Sequence, residues 1–214
     1  MSDRSFVSPE TRARVRLVAV PIAILLGKLG LTPNALTIVG FLGTCLAAVA
    51  AASQAWVLAG VLVLVFGIFD LFDGALARAT GQASKFGAFL DSTLDRTGES
   101  LVIAGVVYGC ATGGFAAGAG LAALAITFAS VVTYARAKAE SLGVHGEVGV
   151  APRPERLVIL AAGLVLAGIL GGVGPERGGG AVALAIALGI IAVLSAITVV
   201  QRILHVRQQL DSTK

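Results

Sequence analysis

Charge is what this sequence has least of. Only 13% of its 214 residues are Asp, Glu, Lys or Arg, 57% are hydrophobic, and the mean hydropathy is +0.92. Soluble domains carry about 25% charged residues, so a soluble globular protein is excluded and an integral membrane chain, a single domain over residues 1–214, is expected. Cysteine is nearly absent as well. Cys45 and Cys110 lie far apart inside apolar runs, form no metal-binding spacing, read as small apolar filler and fix no redox compartment. No small-residue cleavage pattern follows the basic N-terminus, where the chain continues into "KLGLTPN"; this disfavours a signal peptide. Ionisable groups deep along several apolar segments are also missing, which argues against a proton or cation pathway. Nothing suggests a nucleic-acid partner.

What is present is apolar sequence in long runs. Six segments near 34–53, 55–79, 86–112, 117–140, 154–172 and 181–205 are long enough to span a bilayer, which takes roughly 20 residues. Pro33 and Pro154 stand at first-turn positions of the first and fifth. The connecting stretches include "ATGQASK", "GVHGEVGVAPR" and "GVGPERGGG". Ahead of them, Arg4, Arg12, Arg14 and Arg16 precede the run 17–27, too short to span. An amphipathic helix lying in the membrane interface over residues 1–30 is expected, arginines toward lipid headgroups. The expected fold is therefore all-α: an interfacial helix, then a six-helix transmembrane region over 34–205. With the N-terminus in the cytoplasm, alternation puts 15 of the 16 Lys and Arg residues on or near the cytoplasmic side, and only Arg177 outside. That is the bias of the positive-inside rule, and it leaves both termini cytoplasmic in a multi-pass inner-membrane protein. Gly105 with Gly109, and Gly114 with Gly118, have the small-xxx-small spacing of close helix contacts, a cheap match in a chain with 28 glycines.

Against this background, "DLFDGALARATGQASKFGAFLDSTLDR" stands out. Fifteen uncharged residues, Ala55 to Phe69, are followed by Asp70, Asp73, Asp91 and Asp95. Asp70 and Asp73 share one helix face by their three-residue spacing, and Asp91 and Asp95 share another by their four-residue spacing. Two neighbouring helices joined by a short loop can turn four carboxylates toward one point at the cytoplasmic face. Four like charges there repel one another, and each is costly at a membrane edge. Oxygen ligands of this kind suit Mg²⁺ or Mn²⁺, and a pair of such ions suits phosphoryl chemistry. The plainer alternative is a solvated rim in which the aspartates pair with Arg78, Lys85 and Arg96. Gly74 and Gly87 favour the binding reading, because glycine lets backbone approach a ligand closely.

Residues 70 to 95 read D-x2-D-G-x2-A-R-x8-G-x3-D-x3-D, with all eight fixed positions present. This resembles the signature of the CDP-alcohol phosphotransferases, and the likeness extends over nearly the whole chain. It implies transfer of a phosphatidyl-type group from a CDP-linked lipid such as CDP-diacylglycerol to an alcohol, with CMP released, divalent metals (two ions) and a homodimer among membrane lipids. By position, Asp70, Asp73, Asp91 and Asp95 would hold the metals. Asp70, Asp73, Gly74, Ala77 and Arg78 would border the CDP moiety, and Asp95 would act as general base. "TPNALT" matches a family pattern as well, so Asn34 and Thr37 would line the nucleotide pocket; capping of a helix accounts for them equally.

The acceptor is approached through the remaining arginines. Arg136 in "TYARAKAE", Arg153 and Arg156 in "RPER" and Arg202 in "VQRI" lie on three segments that end at the aspartate face. Arginine is the fork that suits phosphate oxygens, so a phosphorylated acceptor would explain them; snorkelling to headgroups is the alternative. "YARAKAE", "RPERL" and "VQR" resemble the bacterial phosphatidylinositol-phosphate synthases, in which a basic trio at the positions of Arg136, Arg156 and Arg202 binds the phosphate of inositol 1-phosphate. That pattern reads "IKAR", whereas Arg136 and Lys138 have exchanged types here. Archaeal ether-lipid relatives look similar, which leaves the lipid tail open. A phosphatidylglycerophosphate synthase, taking glycerol 3-phosphate, is the runner-up, although "DSTLDR" departs from its "DPxxDK" pattern. A membrane scaffold without catalysis is the alternative from another class.

Overall fold

The computed structural model describes residues 20–150, 152–174 and 178–212, with the side chain of Asp70 outside the described set. Regular structure among the described residues is helical throughout. Six long helices follow in chain order: α1 (Pro33–Ala52), α2 (Trp56–Thr80), α3 (Lys85–Thr112), α4 (Ala116–Ser141), α5 (Arg153–Ile169) and α6 (Gly178–Ser212). Local chemistry sets their ends. Thr32 caps α1 by accepting from the Ala35 amide at 3.2 Å, with Pro33 in the first turn. Gly81, left-handed at φ +67°, closes α2. Ser84 then accepts from the Gly87 amide at 2.9 Å and opens α3.

Four helices, α1, α2, α4 and α6, are long and apolar enough to cross a membrane. The other two differ for identifiable reasons. α3 carries Asp91, Asp95, Arg96 and Glu99 among its first 15 residues, and α5 has only 17 residues, about 26 Å of helix. Of the expected interfacial helix, residues 1–19 lie outside the described residues. Residues 20–28 are helical and pack on the site end of the bundle, where Ala23 joins Leu36, Ala75 and Leu76 in a small apolar cluster.

Helix contacts run from α1 to α2, α5, α6, α4 and α3, and from α3 back to α1. Small residues make the ring tight. A side chain on Gly105 or Gly109 would collide with the backbone carbonyls of Ala48 and Ala51, so α3 lies directly against α1. The spacing that is cheap in sequence is thus a real contact here. Gly60 faces the Ala161 carbonyl across the α2–α5 seam in the same way. Cys110 is buried in the main core and Cys45 is half-buried; both are free thiols.

Candidate active site

The charged ends of α2 and α3 meet the starts of α1 and α5. Asp73 is buried on α2, one side chain away from the first turns of α1. Its Oδ2 accepts from the Thr37 hydroxyl at 2.6 Å, and its Oδ1 accepts from the Gly74 amide at 2.5 Å. Both oxygens are thereby oriented, the kind of support that a ligating carboxylate needs. Thr37 therefore does more than satisfy its own helix, although its hydroxyl also lies 3.1 Å from the Pro33 carbonyl. Asn34 reaches α3: a side chain on Gly87 would meet its Oδ1 at 3.1 Å. Gly74 stands beside the Arg78 guanidinium, Ala77 is half-buried and Arg78 is exposed.

Asp91 is half-buried on α3. One turn further in, Asp95 Oδ2 accepts from Arg153 Nη1 at 2.5 Å. A further turn in, Glu99 takes Arg156: Oε1 accepts from Nη2 at 2.9 Å and from Nε at 3.1 Å, and Oε2 from Nη2 at 3.3 Å. Arg96 Nη1 stands 3.8 Å from Glu99 Oε2. Two ion pairs thus tie α3 to the start of α5. Beneath them a cavity of about 40 Å³ continues into the apolar core, with Glu99, Arg153 and Arg156 at its polar end and Val63, Phe66 and Leu160 among its apolar walls. Glu99 is an addition to the residues expected from sequence, and Arg153, expected among the acceptor-side arginines, is paired with Asp95. Glu99 was detectable in the sequence, four residues beyond Asp95 on the same face; its pairing with Arg156, 57 residues away in the chain, was not.

The three arginines expected at the acceptor side come from α4, α5 and α6 into different surroundings. Arg136 is half-buried and pairs with Glu140 at 2.8 Å and Glu147 at 3.0 Å. Arg156 and Arg202 are 3% and 7% exposed, which rules out snorkelling to headgroups for both. Arg202 donates through Nε to the Val148 carbonyl at 2.9 Å and through Nη1 to the Val132 carbonyl. It thereby fastens the α4–α5 connection to α6. Gln209 fastens the same connection further out, exchanging hydrogen bonds with the backbone of His145. Gly149, at φ +138°, presses so closely on Thr198 that no side chain fits there.

Donor chemistry fits a hard divalent cation, since the carboxylates of α2 and α3 supply oxygen and Asp73 is already oriented from two sides. Among the described residues no group of three Asp, Glu, His or Cys side chains closes on one point; the expected group includes Asp70, whose side chain lies outside them.

The family described as CDP-alcohol phosphatidyltransferase matches residues 30–205. The chain is 38% identical over 203 residues to a phosphatidylinositol phosphate synthase of Cutibacterium acnes, covering 94% of this chain and 98% of that one. It is 36% identical over 206 residues to an archaetidylinositol phosphate synthase of Pyrococcus horikoshii, covering 94% and 96%. Among solved structures it is similar to the Mycobacterium tuberculosis phosphatidylinositol phosphate synthase with CDP-DAG bound, at a TM-score of 0.78 and 31% identity over 88% of this chain and 93% of that one. The same mycobacterial protein in complex with manganese and citrate gives a TM-score of 0.77 at 32% identity, over 88% of each chain.

Proposed function

The chain belongs to the CDP-alcohol phosphatidyltransferase family, and we propose that it transfers the phosphatidyl group of CDP-diacylglycerol to inositol 1-phosphate, releasing CMP. The acceptor hydroxyl attacks the β-phosphorus, the bond from that phosphorus to the bridging oxygen breaks, and CMP leaves with the oxygen. Asp95 takes the proton of the attacking hydroxyl. Arg153 holds one oxygen of that carboxylate, so the proton goes to Oδ1 or the pair opens first. Asn34, Thr37, Gly74, Ala77 and Arg78 line the CDP pocket at the outer ends of α1 and α2. Asp70, Asp73, Asp91 and Asp95 hold two divalent cations, Mg²⁺ or Mn²⁺, which supply neutralisation of the diphosphate and of the departing CMP. All six long helices cross the inner membrane, the site faces the cytoplasm, and the working unit is a homodimer.

One observation carries the phosphorylated acceptor. Arg202 is a buried guanidinium with no carboxylate at ion-pair distance among the described residues; backbone carbonyls are its partners there. Arg136 and Arg156 add positive potential at its position, which Glu147, the weaker influence, offsets in part. A buried charge whose nearest counter-charge lies beyond ion-pair distance is costly, and an incoming phosphate supplies a close one. Free inositol brings no charge and leaves that cost in place.

The test is CMP release by the purified protein with CDP-diacylglycerol and each of inositol 1-phosphate, glycerol 3-phosphate and free inositol. Inositol 1-phosphate is expected to be used fastest and free inositol hardly at all. EDTA should abolish release and Mg²⁺ or Mn²⁺ restore it. Faster use of glycerol 3-phosphate would move the assignment to that acceptor, and full activity without metal would remove the cation from the reading.

A further inference from the structure

We infer that Glu99 is a positioning residue for the acceptor phosphate: it holds the Arg156 guanidinium in the orientation that receives that group. This rests on the function proposed above. Arg156 is 3% exposed, so its charge must be compensated inside the protein. Glu99 compensates it through three contacts, using the Nε–Nη2 edge of the guanidinium. A planar fork held along one edge has its remaining direction set, which a single contact would not achieve. Glu99 is itself restrained by Arg96 at 3.8 Å on its own helix, one turn below the Asp95–Arg153 pair. The two rungs run side by side between α3 and α5. One ends on the proposed base, and the other on an arginine of the proposed acceptor pocket. Glu99 is not among the residues proposed to hold the CDP moiety or the metals, and its three close contacts are with Arg156, so its influence on the acceptor should reach the reaction chiefly through Arg156.

That route distinguishes positioning from a general role in holding the bundle together. In Glu99→Gln the KM for inositol 1-phosphate should rise on the order of tenfold, the lower end of what loss of a charged hydrogen bond brings. The KM for CDP-diacylglycerol should stay within about twofold on the same reasoning, because the pair lies outside the residues proposed for the CDP pocket. Glu99→Asp, which keeps the charge but draws the carboxylate back by one methylene, should raise the acceptor KM less. It also serves as the second variant if Glu99→Gln fails to fold. Placed on top of Arg156→Ala, Glu99→Gln should add no further rise in acceptor KM, since the group it acts through is gone. A merely structural role predicts additive losses that fall on both substrates. An unchanged or lowered acceptor KM in Glu99→Gln, or additivity in the double variant, overturns the inference. Glu99 acts on the phosphate and not on the polyol, so the same shift is expected with glycerol 3-phosphate. If the wild type prefers that acceptor, the functional reading changes while the role of Glu99 is still decided by its own KM shift.

Discussion

Asp73 and Asp95 carry the same side chain one helix apart, yet their surroundings differ. Asp73 is buried and receives a hydroxyl and an amide, donors that orient both of its oxygens. Asp95 is bound by a guanidinium. A carboxylate oriented at both oxygens suits a cation ligand, whereas one held by arginine at one oxygen has the other for proton transfer. Asp95→Asn separates the two roles. The amide keeps the shape and can still accept from Arg153 but cannot take the proton. Binding of CDP-diacylglycerol should survive, while turnover should fall by about 10²- to 10⁴-fold, the usual contribution of a positioned base. Equilibrium binding of the donor beside single-turnover CMP release checks this, and near-normal turnover would remove the base assignment.

At the scale of elements, the glycine seams set how closely the helices approach. Gly105 on α3 faces the Ala48 carbonyl, and backbone cannot move aside as a side chain can. Gly105→Ala should therefore destabilise the protein by roughly 1–3 kcal/mol, the cost of overpacking a close contact. Gly120, inside α4 with nothing within 4 Å of an added methyl, is the control. Gly120→Ala should be neutral or stabilising by up to about 1 kcal/mol, since alanine is the better helix former. Thermal unfolding of both variants in one detergent reads the difference, and equal shifts would contradict the seam. The helices themselves were legible in the sequence because apolar runs and proline or glycine stops mark them directly. The reading of 34–53 and 86–112 meets α1 and α3 within a residue at each end. The end of α6 was not, because residues after 205 are polar and helical only as an extension of an apolar span. In the site, the aspartates were legible from spacing on one helix. The Asp95–Arg153 and Glu99–Arg156 pairs join positions 58 and 57 residues apart, and the register between α3 and α5 that brings them together comes from packing.

For the whole molecule, the consequence of the ring of helices is that every polar group of the site gathers at one end. The carboxylates of α2 and α3, the arginines of α5 and those near the ends of α4 and α6 meet there, while the α1–α2 connection at the other end has no charge between Thr32 and Phe69. Basic residues favour the cytoplasmic side, so the site end should face the cytoplasm. Chemistry requires the same orientation: inositol 1-phosphate is a charged solute that does not cross a bilayer unaided, and a site on the far side would be cut off from a cytoplasmic supply. Single cysteines test this, once Cys45 and Cys110 are replaced by alanine. Gln54, between α1 and α2, and Gln82, between α2 and α3, are both exposed and lie at opposite ends of α2. In intact cells a membrane-impermeant maleimide should label Gln54→Cys and leave Gln82→Cys unmodified until the membrane is permeabilised. Labelling of Gln82→Cys from outside would invert the topology. It would also separate the active end from its charged substrate, so the proposed acceptor would have to be abandoned together with the orientation.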